Sequence, residues 1–272
     1  MWYLQIDTLR LILAFALVYV LAWGAVRRFR PAAKPTRWLL LFDLALLAYV
    51  SKRLAAFYAV YTVLSWLFVE VIRRAERGRR PLFVLLCIAD IVPFLYIRAA
   101  NFLPALPVFL TLIGFAYNML KAMDALFFVY YTKRRIPLLT YANFILFFPV
   151  ITAGPIFRYR DFVRFYDKPV FPDGDTAVEC GKRFIRGMFK KMVVVYWMQK
   201  ALSVCLAHGQ HFYVSIALAL VSYALLYFDL SGYSDMAIAT GTFMGIPTPE
   251  NFKNPLSAAS FTQFWRKWHV TL

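Results

Sequence analysis

Cysteine and histidine are scarce in this chain, which has three of each among 272 residues. Cys87, Cys180 and Cys205 are isolated and odd in number, so their spacing supports neither a disulfide framework nor a metal site. We interpret them as small, buried apolar residues. His208 and His211 are three residues apart, a spacing that can serve a metal. No carboxylate or cysteine is close to them in sequence, so we predict no metal site there.

Acidic residues are also scarce relative to basic ones. Fourteen Asp and Glu stand against 31 Lys and Arg, which gives a formal charge of +17. In a soluble protein this excess would suggest nucleic acid as a partner. Here the cations cluster in short loops between apolar runs, and such loops are retained on the cytoplasmic side of a membrane. We therefore expect no nucleic acid partner, and we expect contact with membrane lipid, including anionic head groups.

The chain is too apolar for a water-soluble globule. It is 62% hydrophobic and 19% aromatic, whereas a soluble domain is near half apolar. We predict an all-α, polytopic helical membrane protein with a single transmembrane domain over residues 1–272. Residues 1–137 would supply membrane helices, and residues 138–272 would carry the motifs. Neither a sequence repeat nor a low-complexity segment is visible.

Seven apolar runs predict the membrane spans. They cover approximately residues 9–26, 38–50, 54–72, 82–97, 106–131, 192–207 and 212–230. Pro93 is expected to interrupt the fourth span. No cleavage site follows the first run, so we predict a retained span with the N-terminus outside. The strong basic loops at 27–37, 73–80 and 133–135 then all fall in the cytoplasm, as the charge rule requires.

Three segments depart from simple spans. Residues 142–155 contain Pro149 and Pro155, which break helices, so we predict a broken or re-entrant segment that is buried in protein or lines a cavity. Residues 182–191 mix cations with apolar side chains at helical spacing, which predicts an amphipathic helix on the inner membrane face. Residues 231–272 predict partly buried helices and loops that dip toward a cavity.

Asp43 and Asp90 lie deep within predicted spans. An ionised side chain there costs at least a few kcal/mol, so each must face a partner or water. A structural pairing is favoured over a role in transport. A transporter would nevertheless use such residues together with a broken helix, although the chain has no inverted repeat.

An unusually polar run follows the seventh span. It contains Asp229, Ser231, Tyr233, Ser234 and Asp235. Their donors and acceptors need partners once they are removed from water. Either they form a buried network that fixes a tight turn, or they line a substrate site. The residues alone leave both interpretations open.

His269 ends the aromatic and cationic run that includes Trp265, Arg266, Lys267 and Trp268. Such a run suits a membrane interface. A histidine also titrates near neutrality and can act as a general base, drawing a proton from a hydroxyl that attacks an acyl group. Arg266 and Lys267 would disfavour the imidazolium form, and they could hold the phosphate of an anionic acyl carrier.

Three stretches of the chain resemble the membrane-bound O-acyltransferases, and most closely their bacterial branch. Residues 147–160 resemble the family's Phe-Pro…Gly-Pro…Arg segment. Residues 227–237, Tyr-Phe-Asp-Leu-Ser-Gly-Tyr-Ser-Asp-Met-Ala, are similar to a motif of polysaccharide acetyltransferases. Residues 249–252, together with 264–269, are similar to Asn-Phe…Phe-Trp-x-x-Trp-His. The D-alanyl transfer branch tends to have Ala-Gly-Tyr in the second motif and lacks its Asp.

The resemblance implies a ring of tilted helices, some broken or re-entrant, around a tunnel in the bacterial inner membrane. It implies transfer of an acyl group from a cytoplasmic thioester to a hydroxyl of an extracytoplasmic polysaccharide. Acetyl is the acyl group that we expect first. The donor would be acetyl-CoA or an acyl carrier protein, with no bound cofactor. D-alanyl transfer to teichoic acid is the nearest alternative. A periplasmic acetyltransferase or a small acyl carrier protein is an expected partner.

The resemblance also assigns roles to residues. His269 matches the first of two catalytic positions. The residues expected to line the substrate site or tunnel are Asp229, Ser231, Tyr233, Asp235, Asn251, Trp265 and Trp268. The second and more important position is a histidine in a Leu-Trp-His-Gly segment that this sequence does not contain, so the chain by itself would be inactive where that histidine is required. We therefore expect an N-terminal portion of the fold with its C-terminal helices missing, and a non-catalytic scaffold or a transporter as alternatives from other classes.

Overall fold

The computed structural model describes residues 6–29, 36–100, 114–152, 154–207 and 211–272. This part of the chain is helical and contains no strand. Three of its helices are long and apolar enough to cross a bilayer, and two shorter helices are also apolar. The prediction of an all-α membrane protein is therefore confirmed. The chain packs as two compact units, 1–152 with 156–169 and 153–155 with 170–272.

The first unit carries most of the predicted spans. Its helices are α1 (Ile6–Phe29), α2 (Thr36–Val50), α3 (Lys52–Arg74), α4 (Arg79–Ala100), α5 (Phe115–Thr132), α6 (Leu138–Leu146) and α7 (Tyr159–Asp167). Ser51 begins α3 as its N-cap, because its hydroxyl accepts the N–H of Leu54 at 3.3 Å. Arg73 and Arg74 end α3, where their charge suits the negative end of the helix dipole.

Two predicted boundaries in this unit differ from the structure. Pro93 does not interrupt α4, which continues through it to Ala100. Proline removes one N–H and crowds one carbonyl, and packing against neighbouring helices allows a membrane helix to tolerate both. The fifth helix begins at Phe115, directly after Gly114, whose φ of 74° is left-handed. Residues 106–113 of the predicted span lie outside the described residues.

The predicted broken segment is a helix that stops inside the protein. After α6 the chain passes into a single 3-10 turn, and the side chains of residues 141–150 are all buried. Asp43 of α2 accepts the N–H of Phe148 at 3.3 Å, and Lys121 of α5 donates to the carbonyl of Ile145 at 2.8 Å. These backbone groups lie at the helix break, where α-helical bonding ends, so side chains complete their bonding. The predicted break and its burial in protein are thus present.

The second unit is built on two long helical runs. Its helices are α8 (Gly174–Phe189), α9 (Val195–Ala207), α10 (Phe212–Phe243) and α11 (Phe261–Lys267), and a π-helical segment (Lys190–Val194) joins α8 to α9. The predicted amphipathic helix and sixth span are therefore one continuous helical run. The side chain of Asp173 starts this run by accepting the N–H of Thr176 at 2.9 Å.

The seventh span does not end at Leu230 as predicted. Helix α10 continues through the polar run to Phe243, and its residues from Ser231 to Gly241 are buried. The structure therefore excludes a tight turn at the polar run, which was one of the two interpretations that the sequence left open. Asp229, Ser234 and Asp235 find partners on α8, the π-helical segment and the loop after α10, so the backbone can remain helical through Gly232.

Candidate active site

Two glycines bring α8 and α10 into close contact. A Cβ atom added to Gly187 of α8 would lie 2.6 Å from the carbonyl oxygen of Gly232 of α10 and 2.8 Å from Met236. A Cβ atom on Gly232 would lie 3.0 Å from the carbonyl oxygen of Gly187. Small residues at both positions let the two backbones approach, as in other membrane helix pairs. The cationic face of α8 can therefore reach carboxylates on α10.

Ion pairs join α8 and the π-helical segment to α10 near this contact. Arg183 donates to Asp235 at 3.0 Å and, through both terminal nitrogens, to Glu250 at 2.5 and 2.6 Å. Lys190 donates to the second oxygen of Asp235 at 2.7 Å. Lys191 pairs with Asp229. The two neighbouring lysines lie in the π-helical segment, a distortion that is frequent at functional sites.

The pair between Lys191 and Asp229 lies inside the protein, with side-chain exposures of 2% and 21%. We expect Lys191→Met to lower the free energy of unfolding by roughly 3–5 kcal/mol, because Asp229 would be left without its cation. The double variant with Asp229→Leu should recover most of this loss. Thermal unfolding in detergent checks both. Lys182→Met, which breaks the exposed pair with Glu179 on the same helix, is the matched control and should change little.

A polar cavity of about 190 Å³ lies beside this network. It is lined by Arg183, Arg186, Lys190, Tyr227, Ser231, Ser234, Asp235, Glu250, Asn251, Phe252 and Asn254. Three of the lining residues are cations of α8 and the π-helical segment, and two are carboxylates. A cavity with this lining can bind an anionic or hydroxyl-bearing group.

Asn251 connects α10 to the end of the described chain. Its amide nitrogen donates to Ser234 at 3.1 Å, and its amide oxygen accepts from the hydroxyl of Thr271 at 2.8 Å. Its backbone carbonyl accepts the N–H of Val270 at 2.8 Å. Asn251 is 1% exposed, so these bonds are shielded from water. They hold the backbone directly after His269 against α10.

His269 is fixed in an uncommon conformation. Its φ of 47° is left-handed, a region that few residues other than glycine occupy. Its ring lies 5.8 Å from that of Phe252, centroid to centroid. Burial lowers the pKa of His269 below the usual 6.5, so the imidazole is neutral at pH 7. The sequence predicted a neutral ring, but attributed it to Arg266 and Lys267 rather than to burial.

The tryptophans flanking His269 have different surroundings. Trp268 is 8% exposed, and its ring packs against an aromatic group made of Tyr223, Tyr227, Phe252 and Phe264, at centroid distances of 5.2–5.9 Å. Trp265 is 55% exposed. Trp268 therefore anchors the segment that carries His269, while Trp265 faces outward.

The structure brings together some of the predicted site residues. Ser231, Asp235 and Asn251 line the cavity, whereas Asp229 is held by Lys191. Tyr233, Trp265, Trp268 and His269 are not among its lining residues. His211 is exposed, and His208 lies outside the described residues. In the described ranges no group of three or more His, Cys, Asp and Glu could hold a metal ion.

The cations of the cavity differ from those singled out in the sequence. Arg266 is exposed, and Lys267 donates to the hydroxyl of Ser257 at 3.1 Å. The cavity is instead lined by Arg183, Arg186 and Lys190. Their spacing of three and four residues places them on one helical face, a signal that was visible within the predicted amphipathic helix.

Comparison with known proteins identifies the family to which the sequence motifs point. Residues 34–272 match the sequence profile of the membrane-bound O-acyltransferase (MBOAT) family. The Pseudomonas putida protein "Probable alginate O-acetylase AlgI" is 34% identical over 163 residues, 59% of this chain and 33% of that protein. The peptidoglycan O-acetyltransferase of Helicobacter pylori is 36% identical over 145 residues, 49% of this chain and 26% of that protein.

A relative with a different named activity aligns to a similar extent. The teichoic acid D-alanyltransferase of Bacillus subtilis is 32% identical over 144 residues, 52% of this chain and 36% of that protein. The chain spans about a third of the length of these curated relatives. The family profile itself covers all but the first 33 residues of the chain. This chain belongs to the membrane-bound O-acyltransferase family.

Proposed function

We propose that the chain acts in an O-acyltransferase of the bacterial inner membrane, with its N-terminus outside. The enzyme transfers an acetyl group from acetyl-CoA in the cytoplasm to a hydroxyl of an extracytoplasmic polysaccharide. Family membership and the named alginate and peptidoglycan acetylating relatives support this reading. The observation that supports it most directly is the position of His269. Its ring is neutral, and it lies beside Asn251 and Phe252, which both line the polar cavity.

The proposed reaction needs a base for the acceptor hydroxyl. The imidazole of His269 accepts the hydroxyl proton as the oxygen attacks the carbonyl carbon of the thioester. The carbon–sulfur bond then breaks, and the departing sulfur takes up a proton, so the transfer is balanced overall. A positioned base of this kind contributes roughly 10²–10⁴ in rate. The lowered pKa of His269 keeps the ring in its proton-accepting form at neutral pH.

The donor offers phosphate groups, and the chain has two sets of cations that can contact them. One set lines the cavity and includes Arg186, which is exposed there. The other is Arg266 and Lys267, in the last turn of the short helix α11. An arginine guanidinium binds a phosphate through two parallel hydrogen bonds, so either set is chemically suited.

Reversing one charge in each set shows which of the two sets contacts the donor. We expect Arg186→Glu to raise the KM for the donor by roughly tenfold or more with a smaller change in kcat, because a charge-assisted phosphate contact is worth about 1.5–3 kcal/mol. Arg266→Glu is the matched variant outside the cavity and should leave KM within about twofold. Steady-state kinetics with membrane vesicles gives both constants. A large increase in KM for Arg266→Glu, with little change for Arg186→Glu, would instead assign the donor contact to α11.

The choice of donor tests the proposed function itself. Inner-membrane vesicles containing the complete gene product receive labelled acetyl-CoA or a labelled D-alanyl carrier protein, together with acceptor glycan. We expect label from acetyl-CoA to enter the glycan as an ester that mild alkali releases. Transfer from the carrier protein alone would overturn acetylation in favour of D-alanylation.

D-alanyl transfer to teichoic acid is the second candidate. It is favoured by a long alignment with the teichoic acid D-alanyltransferase of Streptococcus thermophilus. That protein is 25% identical over 227 residues, 79% of this chain and 54% of the relative. Under this reading, the basic inner face of α8 would receive a small acyl carrier protein. Under acetylation, a periplasmic acetyltransferase is the corresponding partner.

A further inference from the structure

Glu250 holds the guanidinium group of Arg183 in the geometry that a phosphate would take. Nη1 and Nη2 of Arg183 donate to the two carboxylate oxygens of Glu250 at 2.5 and 2.6 Å. An arginine binds the oxygens of a carboxylate and of a phosphate through the same pair of parallel hydrogen bonds. Both residues line the polar cavity of the second unit. A carboxylate of the protein therefore occupies an anion-binding position in this cavity.

The two carboxylates of the cavity are held with different strength. Asp235 is on α10 with a side-chain exposure of 12%, and it pairs with both Arg183 and Lys190. Glu250 is in the loop after α10 with a side-chain exposure of 45%, and Arg183 is the one cation that pairs with it in the described part of the chain. Such an exposed pair is weak, because water solvates and screens both charges. The next residue, Asn251, is fixed by its hydrogen bonds, so Glu250 can leave Arg183 by rotating its side chain alone.

The charges of the cavity favour exchange of Glu250 for a phosphate. Three cations, Arg183, Arg186 and Lys190, face the two carboxylates of Asp235 and Glu250, which leaves one positive charge in excess. Once Glu250 has left, the same three cations face Asp235 alone, and the excess is two positive charges. A phosphate monoester carries a charge of about −2 near neutral pH. It therefore compensates the cavity more completely than Glu250 does.

We propose that Glu250 is a specificity-determining residue of this cavity. It is the resident counter-ion of Arg183, and a phosphate group of the acyl donor displaces it on binding. The assignment of this phosphate to the donor rests on the proposed function, whereas the exchange of Glu250 for a phosphate does not. Glu250 thereby limits the cavity to ligands whose phosphate competes successfully with a carboxylate for Arg183.

Calorimetric titration with inorganic phosphate tests the exchange. The complete gene product is purified in detergent and titrated at low ionic strength and mildly alkaline pH, where inorganic phosphate is a dianion. We expect Glu250→Gln to bind phosphate roughly tenfold more tightly than the wild type, because no carboxylate has to leave first. The double variant Glu250→Gln/Arg183→Gln should lose this gain. Glu179→Gln removes the same charge from an exposed pair with Lys182 on α8, and it should change the affinity less than about twofold.

The opposite role for Glu250 is to fasten the loop after α10 to α8. Under that role Glu250→Gln would bind phosphate no more tightly than the wild type, and this result would overturn the proposal. An equal gain in Glu179→Gln would also overturn it, because net charge alone would then explain the effect. If Glu250→Gln does not accumulate, Glu250→Asp replaces it. The side chain of aspartate is one methylene shorter and reaches Arg183 less well, so a smaller gain in the same direction is expected.

Steady-state kinetics in membrane vesicles tests whether the phosphate belongs to the donor. We expect Glu250→Gln to lower the KM for acetyl-CoA by a factor similar to its gain in phosphate affinity. A gain in phosphate affinity with an unchanged KM would assign the exchange to another phosphate and overturn the donor assignment. Vesicles that transfer no acetyl group from acetyl-CoA would contradict the proposed function, while the phosphate titration would still decide the role of Glu250.

Discussion

We expect His269→Ala to lower the rate of acyl transfer by roughly 10²–10⁴, with little change in the KM for the donor. The reason is that His269 supplies the base for the acceptor hydroxyl, whereas the cavity that suits the donor is lined by other residues. The substitution also removes the contact between the imidazole ring and the ring of Phe252. Tm must therefore be measured beside kcat, so that a loss of rate can be separated from a loss of fold.

His211→Ala is the matched control for this variant. His211 is exposed at the beginning of α10 and stacks only on Tyr213 among the described ring contacts, at a centroid distance of 5.4 Å. It should keep the wild-type rate. If His269→Ala retained more than a third of the wild-type kcat with an unchanged Tm, His269 would not be the base.

The pH dependence of the reaction provides a further check on His269. A base must be neutral to accept a proton, so kcat/KM falls as the pH decreases through the pKa of the histidine in the free enzyme. Burial lowers that pKa below 6.5, so the acidic limb of the profile should lie below pH 6.5. The pH profile of kcat/KM for the wild type measures this limb. An acidic limb above pH 6.5 would show that burial does not set the pKa of the imidazole ring.

We expect Gly187→Ala to destabilise the second unit by roughly 1–3 kcal/mol and to reduce activity as well. The added Cβ would lie 2.6 Å from the carbonyl oxygen of Gly232 and 3.0 Å from the backbone nitrogen of Met236. Backbone atoms cannot move aside as a flexible side chain can. Helices α8 and α10 would have to separate, which lengthens the pairs that Lys190 and Lys191 make with α10.

Gly181→Ala makes the same chemical change elsewhere on α8. A Cβ added at Gly181 meets no atom within 4 Å, and alanine is a better helix former than glycine by roughly 0.5–1 kcal/mol. This variant should therefore raise the unfolding temperature slightly while Gly187→Ala lowers it. Equal effects of the two substitutions would mean that the close contact between Gly187 and Gly232 does not exist.

The parts of the fold that depend on hydropathy could be predicted from the sequence. Apolar runs correctly indicated helices such as α3 and α10, and Pro149 and Pro155 indicated the buried break after α6. Hydropathy does not report how a polar group is satisfied by a distant partner. The seventh span was therefore predicted to end at Leu230, whereas Lys190, Lys191 and Arg183 allow the polar run to remain in the same helix.

The candidate site could be predicted only in part for the same reason. The motifs correctly pointed to Ser231, Asp235 and Asn251, which line one cavity. They did not point to Arg183, whose pairing with Asp235 and Glu250 joins residues that are 52 and 67 positions apart. Contacts of that length depend on how α8 packs on α10, and that packing rests on two glycines whose proximity no local pattern reveals.

The ester content of the cell-surface glycan tests the central claim most directly. Cells in which the chromosomal gene is deleted receive the complete gene as wild type, His269→Ala or His211→Ala, each at matched membrane abundance. We predict that the wild type and His211→Ala restore alkali-labile acyl esters on the extracytoplasmic glycan, and that His269→Ala does not. Full restoration by His269→Ala would contradict catalysis by this chain and leave it the role of a scaffold.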